Sequence, residues 1–188
     1  MGYADNIKRA PSSGGSGSST YMKFEQGENK FRIVGTVEDG SFITGMVGWV
    51  GEKKGERKPF RWKVDEKAPE EKFSDKPKEF FAILVFNYAV NRVQVVEITQ
   101  RGLKDELISY IEDEEWGDPR KYDIAVIKSG EGRDTRYAMV PKPHKKMTDE
   151  QREIIKNTKA DLTALYRGEH PMEESSETLE EDSMEEPF

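Results

Sequence analysis

One stretch of the chain, residues 53–63, combines positive charge with aromatic rings. It contains six lysine or arginine residues and one acidic residue, so its net charge is +5. Phe60 and Trp62 alternate with Arg61 and Lys63, so in a strand the rings share one face and the cations the other. Cations that bind phosphates and flat rings that stack on bases are the groups that bind single-stranded nucleic acid. The stretch is therefore a candidate binding surface, and the alternative is a solvated loop with Trp62 in the core.

Other rings and cations fall in predicted strands and turns, where they would extend such a surface. Most aromatic side chains of a small β protein belong to its core, so each of these is a weaker candidate. The predicted nucleic-acid-binding residues are Arg32, Trp49, Lys53, Lys54, Arg57, Lys58, Phe60, Arg61, Trp62, Lys63, Phe86, Tyr88, Arg92, Tyr122, Lys128, Arg133, Arg136 and Tyr137.

Residue types that support catalysis are few. The two histidines, His144 and His170, stand beside prolines, and there is no cysteine. The Gly-rich turn at residues 129–132 lacks the Lys-Ser/Thr ending of a phosphate-binding loop. Four acids at residues 112–115 could collect a hard cation such as magnesium, as in a metal-dependent nuclease, or simply end a helix. We predict a non-catalytic protein without metal or cofactor.

Acidic residues are concentrated at the C-terminus. The net charge of the chain is -7, but residues 171–188 contain eight acids and no base, so the rest of the chain carries +1. We expect this tail to be disordered and, as a coil, to reach roughly 23 Å, far enough to compete with a phosphate chain. Its end is a candidate partner-binding motif that combines a ring with carboxylates: Glu185, Glu186, Pro187 and Phe188.

The elements that would position these residues are mainly strands. Alternating or continuous apolar runs predict strands at residues 31–37, 42–50, 59–64, 80–88, 92–98, 122–127 and 135–140. Helical spacing predicts a short helix near residues 103–111 and a longer one after the capping box at residue 148. We predict a mainly β fold, an antiparallel barrel of five or six strands with an inserted short helix and a C-terminal helix. An OB-fold fits best, because it has a bent first strand and an inserted helix and binds oligonucleotides on one face; an SH3-like barrel or an α+β sheet is the alternative.

Composition divides the chain into four parts. Residues 1–20 form a Gly/Ser-rich segment, residues 21–147 the β domain, residues 148–170 a C-terminal helix and residues 171–188 the acidic tail. The chain lacks an apolar run long enough for a membrane span and lacks a secretory signal. We therefore expect a cytoplasmic protein.

Residues 21–147 also resemble the single-stranded-DNA-binding proteins of tailed phages. The resemblance rests on GENKFRIV (27–34), FFAILVF (80–86), VQVVEITQ (93–100), WGDP (116–119), YDI (122–124), GEG (130–132) and residues 134–141. It implies an OB-fold that coats single-stranded DNA during phage replication, recombination and repair in the host cytoplasm. Some relatives hold a zinc ion through Cys and His, which this chain without cysteine cannot reproduce.

The last four residues, EEPF, resemble the acidic Pro-Phe tip of bacterial single-stranded-DNA-binding proteins. The resemblance implies that the tail recruits replication or recombination proteins and inhibits binding at the chain's own basic face. The alternative function is an OB-type adaptor that binds protein through the tail and touches no nucleic acid.

Overall fold

The computed structural model describes residues 20–53 and 55–172, and antiparallel β-strands make up most of it. A single sheet contains seven strands: β1 (Gly27–Ile33), β2 (Phe42–Val50), β3 (Lys58–Trp62), β4 (Lys78–Asn87), β5 (Arg92–Ile98), β6 (Tyr122–Ser129) and β7 (Arg136–His144). The α-helices are α1 (Arg101–Glu112) and α2 (Asp149–Asn157), and short 3-10 helices span Pro119–Lys121, Gly132–Asp134 and Leu162–Arg167. The predicted mainly β fold with two helices is confirmed.

Strand β4 is the centre of the sheet. It pairs with β5 along one edge and with both β1 and β2 along the other. A loop leaves the sheet between β1 and β2, and Leu84 of β4 forms backbone hydrogen bonds with both ends of this loop, Val34 and Ser41. β1 and β2 therefore behave as the two halves of one bent strand. Residues 80–87 are all buried, as their continuous apolar run predicts.

The order of strands is β3-β2-β4-β1-β6-β7, with β5 on the second edge of β4. Within the described residues β5 and β7 do not pair, so the sheet stays open where the sequence predicted a closed barrel. Helix α1 covers the edge of β7: the Met139 N–H donates to Glu106 (2.9 Å), and the Tyr110 hydroxyl donates to the Met139 carbonyl (3.2 Å). Pro141 and Pro143 of β7 lack an N–H, which suits an unpaired edge.

Alternate residues of β4 pack into two separate hydrophobic clusters. Phe81, Ile83 and Val85 face the inner cluster, which α1 completes. The residues between them face an outer cluster, which the C-terminal segment covers with Leu162 and Leu165. Burial on both faces explains why β4 shows no polar alternation.

The C-terminal helix is shorter than predicted. The sequence favoured one helix through residues 148–170, but α2 ends at Asn157 and a 3-10 helix follows at Leu162–Arg167. The physical reason is a local cap: the Asp161 carboxylate accepts the Thr163 N–H (3.0 Å) and starts a new turn. Side chains of Asp often compete in this way with continuation of an α-helix. Asp161 also donates its own N–H to the Pro171 carbonyl (2.7 Å), so ordered contacts extend into the predicted tail.

Candidate functional site

The β2–β3 hairpin extends beyond the body of the sheet and carries the predicted positive stretch. Along β2, pairing with β4 ends at Val47, whereas pairing with β3 continues to Val50. We call the projecting part, residues 48–53 and 55–60, the ribbon. Its turn requires glycine at Gly51, where φ is 125° and an added Cβ would lie 2.9 Å from the Glu56 carbonyl oxygen. Gly51 thereby allows the chain to turn back from β2 towards β3.

The two faces of the hairpin differ in accessibility. Trp62 is only 7% exposed, because its ring stacks on Phe73 with centroids 5.4 Å apart. Gly48 allows this packing, since a Cβ there would lie 2.4 Å from the Phe73 ring. Trp62 is thus a core residue in this structure and not an accessible ring, the outcome left open as the alternative. Phe60, on the same face, is half-buried.

Trp49 lies on the opposite face of the ribbon and is 39% exposed. It lines a cavity of about 340 Å³ together with Arg57, Lys76 and Lys78. The cavity also contains Asp75, so three cations and one carboxylate share it with the indole. An accessible indole in a mainly cationic cavity is the combination that binds a base and its flanking phosphates.

Sequence analysis missed Lys76 and Lys78, because they lie in and after a charged loop about 20 residues from the ribbon. They reach the site because Val47 of β2 pairs with Lys78 of β4. The only signal was their position just before the strongest predicted strand, residues 80–88, whose neighbouring strands the sequence did not assign.

Ion pairs distinguish the cations that are available to a ligand from those that are bound to a buried carboxylate. Arg57 contacts Asp75 at 3.0 Å with both side chains well exposed, and such surface pairs contribute about 0–1 kcal/mol, so a phosphate can displace the carboxylate. Arg61 contacts Glu97 at 2.7 Å with both side chains largely buried, and it lies over the Phe80 ring. Arg61 therefore supports the fold first.

Arg32, predicted to contact the nucleic-acid backbone, is instead buried in the sheet. It is 2% exposed, its Nε donates to Asp123 (2.7 Å) and its Nη1 donates to the Arg120 carbonyl (3.0 Å). The Tyr88 hydroxyl donates to the same Asp123 oxygen (2.6 Å), and burial and this carboxylate raise the pKa of Tyr88. The Tyr88 ring in turn carries the Lys30 ammonium at 4.8 Å from its centroid.

Two further predicted rings lie in the hydrophobic clusters. Phe86 and Tyr122 have no exposed surface, so in this structure neither presents a ring face to a ligand. Burial raises the pKa of Tyr122 to about 12, with nearby Asp118 adding to the effect. Both residues belong to the core.

A second group of predicted residues lies at the β6–β7 turn, apart from the ribbon. Arg133 and Arg136 are exposed there, and Tyr137 is half-buried against the Phe24 ring (6.2 Å). Lys128 donates to the Phe24 carbonyl (3.3 Å). These residues flank the N-terminal end of β1 and form a minor cationic group.

The remaining predicted residues divide between exposed positions and positions that the structure does not describe. Lys53, Lys58 and Lys63 are exposed in or beside the hairpin, and Arg92 is exposed at the start of β5. The residues that lie outside the described part of the chain are Lys54, Glu185, Glu186, Pro187 and Phe188.

Of the acidic residues 112–115, Asp113 has a structural role. The Asp113 carboxylate accepts the N–H groups of Glu115 (2.8 Å) and Trp116 (3.1 Å), which shapes the turn after α1. Among residues 20–53 and 55–172, no group of three His, Cys, Asp or Glu side chains is arranged to hold a metal ion.

The two histidines make packing and hydrogen-bond contacts. His144 stacks on Tyr122 with centroids 5.4 Å apart, and His170 shares hydrogen bonds with Thr20 (3.1 Å) and the Met172 carbonyl (2.7 Å). No helix in the described part of the chain has the length and apolar character of a membrane span.

Comparisons of the chain with models of known protein families, with curated proteins and with solved structures find no match.

Proposed function

We propose that this chain is a non-catalytic single-stranded-DNA-binding protein that coats DNA during phage replication, recombination and repair. The observation that carries the proposal is Trp49, an exposed indole in a cavity bordered by Arg57, Lys76 and Lys78. Cations and a flat ring in one cavity bind nucleotides of any sequence, because every base has a π-face and every nucleotide a phosphate. The stretches that resemble phage single-stranded-DNA-binding proteins support the same proposal.

We also propose that the fold is an open variant of the OB-fold. If β1 and β2 count as one bent strand, the barrel strands are β1/β2, β4, β5, β6 and β7, and α1 is inserted between β5 and β6. OB-folds are partly open, and they bind oligonucleotides with the loops that join their first and second and their fourth and fifth strands. The ribbon lies in the first of these connections and the β6–β7 turn is the second. On this assignment, the two cationic groups described above lie where an OB-fold binds its ligand.

A salt titration of binding tests the proposed function. We expect the full chain to bind single-stranded DNA and to bind the matching duplex much more weakly, because a paired base hides the ring face that Trp49 would stack on. If about six phosphates are neutralised, the log of affinity falls with the log of salt at a slope near -4. Fluorescence anisotropy of labelled oligonucleotides measures both. Failure to bind either DNA at low salt would reject the proposal in favour of a protein-binding adaptor. Magnesium-dependent degradation of the DNA would reject it in favour of a nuclease.

The acidic tail provides a second prediction. Converting its acids to amides in the full chain (Glu173, Glu174, Glu177, Glu180, Glu181, Asp182, Glu185 and Glu186) removes a charge of -8. If the tail competes with DNA for the cations, affinity should rise by about three- to tenfold at low salt, and the difference should vanish as screening increases. Anisotropy at several salt concentrations measures this, and equal affinities at low salt would remove autoinhibition from the proposed function.

A further inference from the structure

The C-terminal segment occupies a surface that an OB-fold ligand would otherwise reach. The outward residues of β4 and β5 include Phe80, Phe86 and Val95, and all three are fully buried beneath this segment and its neighbours. OB-folds commonly bind oligonucleotides on the face of these two strands. In this chain a bound strand must therefore follow another path away from the ribbon.

A groove beside the ribbon offers that path. It has a volume of about 780 Å³ and runs between β3, with Lys58, Pro59 and Phe60, and the C-terminal segment, with Tyr166 and His170. Its two walls come from parts of the chain about 100 residues apart, which is why the sequence did not indicate it.

The groove lies next to the Trp49 cavity, on the neighbouring strand of the ribbon. Pro59 lines the groove, and in the β2–β3 register Pro59 stands directly opposite Trp49. Opposite residues of antiparallel strands have Cα atoms about 4.5–5.5 Å apart, less than the length of one extended nucleotide backbone unit. A strand stacked on Trp49 can thus cross Pro59 into the groove without leaving the protein surface.

The side chains of the groove suit a nucleotide strand. The Tyr166 ring is fixed before any ligand binds, because its hydroxyl donates to the Thr44 carbonyl (2.6 Å) and the ring makes a tilted contact with Phe80 (centroids 6.4 Å apart). Lys63 Nζ lies 5.9 Å from the centre of this ring, and Lys58 is exposed at the other end of β3. A fixed ring with one lysine beside it and a second lysine along the same groove suits a base and a phosphate, whereas Arg167 is already bound to Glu169 (2.9 Å).

We propose that the groove between β3 and residues 165–171 is a second nucleotide subsite, which takes the part of a single strand that continues past Trp49. The inference rests on the proposed function, because it assigns the continuation of the same ligand. It makes the C-terminal segment a wall of the binding surface as well as a cover for the core.

The dependence of affinity on DNA length tests this inference. The full chain and its Lys58→Glu and Phe60→Ala variants are titrated with oligothymidylates of about 4 to 16 nucleotides. The shortest oligonucleotides should bind only at Trp49, and we expect both variants to bind these with the affinity of the parent. On oligonucleotides long enough to enter the groove, we expect both variants to lose about tenfold in affinity. Lys156→Glu is the matched control, because it reverses an exposed lysine on α2 outside the groove and should change affinity little at any length.

The possible outcomes are distinct. Parental affinity of both variants at every length, or an equal loss at every length in variants that melt like the parent, would overturn the second subsite. Tighter binding by Lys58→Glu would also overturn it, since loss of a cation that binds the strand must weaken binding. If the parent binds no oligonucleotide, the proposed function itself fails. If Phe60→Ala does not fold, Lys58→Glu alone decides.

Discussion

Removal of the Trp49 cavity should lower affinity for single-stranded DNA by about 100- to 1,000-fold. The variant combines Trp49→Ala with Lys76→Glu and Lys78→Glu, which deletes the exposed ring and reverses two of its three cations. Stacking contributes about 1–3 kcal/mol per base, and the two reversed charges add repulsion of the phosphates. The salt slope should also become shallower by about 1.4, since about 0.7 is lost for each phosphate contact in a single strand. Anisotropy titrations at several salt concentrations measure both quantities.

Two controls separate binding from charge and folding. Lys145→Glu with Lys146→Glu reverses two exposed lysines that follow β7, away from the cavity, and should cost much less affinity. Trp49→Phe should retain most of the affinity, because a flat ring remains at the same place on the ribbon. The assignment of the site is wrong if the triple variant binds as tightly as the parent, or if the control pair loses as much as the triple variant.

Local patterns predicted most of the secondary structure. The continuous apolar run of β4 and the capping box before α2 are both observed, and in the box Thr148 accepts the Gln151 N–H (3.2 Å) while Gln151 accepts the Thr148 N–H (3.0 Å). Such features involve residues close together in the chain, so short-range sterics and hydrogen bonds determine them. The end of α2 was missed because a cap at Asp161 outcompetes a helix that the apolar spacing would have continued.

The candidate site was harder to predict, because it depends on contacts between distant residues. Alternation in β3 correctly placed Phe60 and Trp62 on one face of the strand, yet it could not tell which face would be covered. The loop that brings Phe73 onto Trp62 decides this, and it leaves Trp49 as the accessible ring. The pairing register of β2 and β4 then brings Lys78 to the Trp49 cavity, and no local sequence pattern connects Lys78 with the ribbon.

The buried pair of Arg32 and Asp123 has the largest expected effect on stability. Arginine remains charged at all accessible pH values, so its burial depends on the carboxylate that it contacts. The Arg32 Nη2 atom has no partner among the described residues, which leaves Asp123 as the main compensation for the buried charge. The Tyr88 hydroxyl, in the turn directly after β4, donates to the same carboxylate oxygen. The network therefore joins β1 and β6 to the end of β4.

Asp123→Asn should lower the free energy of unfolding by about 3–5 kcal/mol, because it leaves the Arg32 guanidinium buried without a counter-charge. Glu70→Gln, which removes one partner of the exposed Lys67–Glu70 pair, should cost no more than about 1 kcal/mol. Replacing the whole network by apolar groups (Arg32→Met, Tyr88→Phe, Asp123→Leu) should recover most of the loss, because no buried charge then remains. Urea denaturation of the four proteins measures these differences. Equal stability of Asp123→Asn and the parent would show that the ion pair does not hold the sheet together.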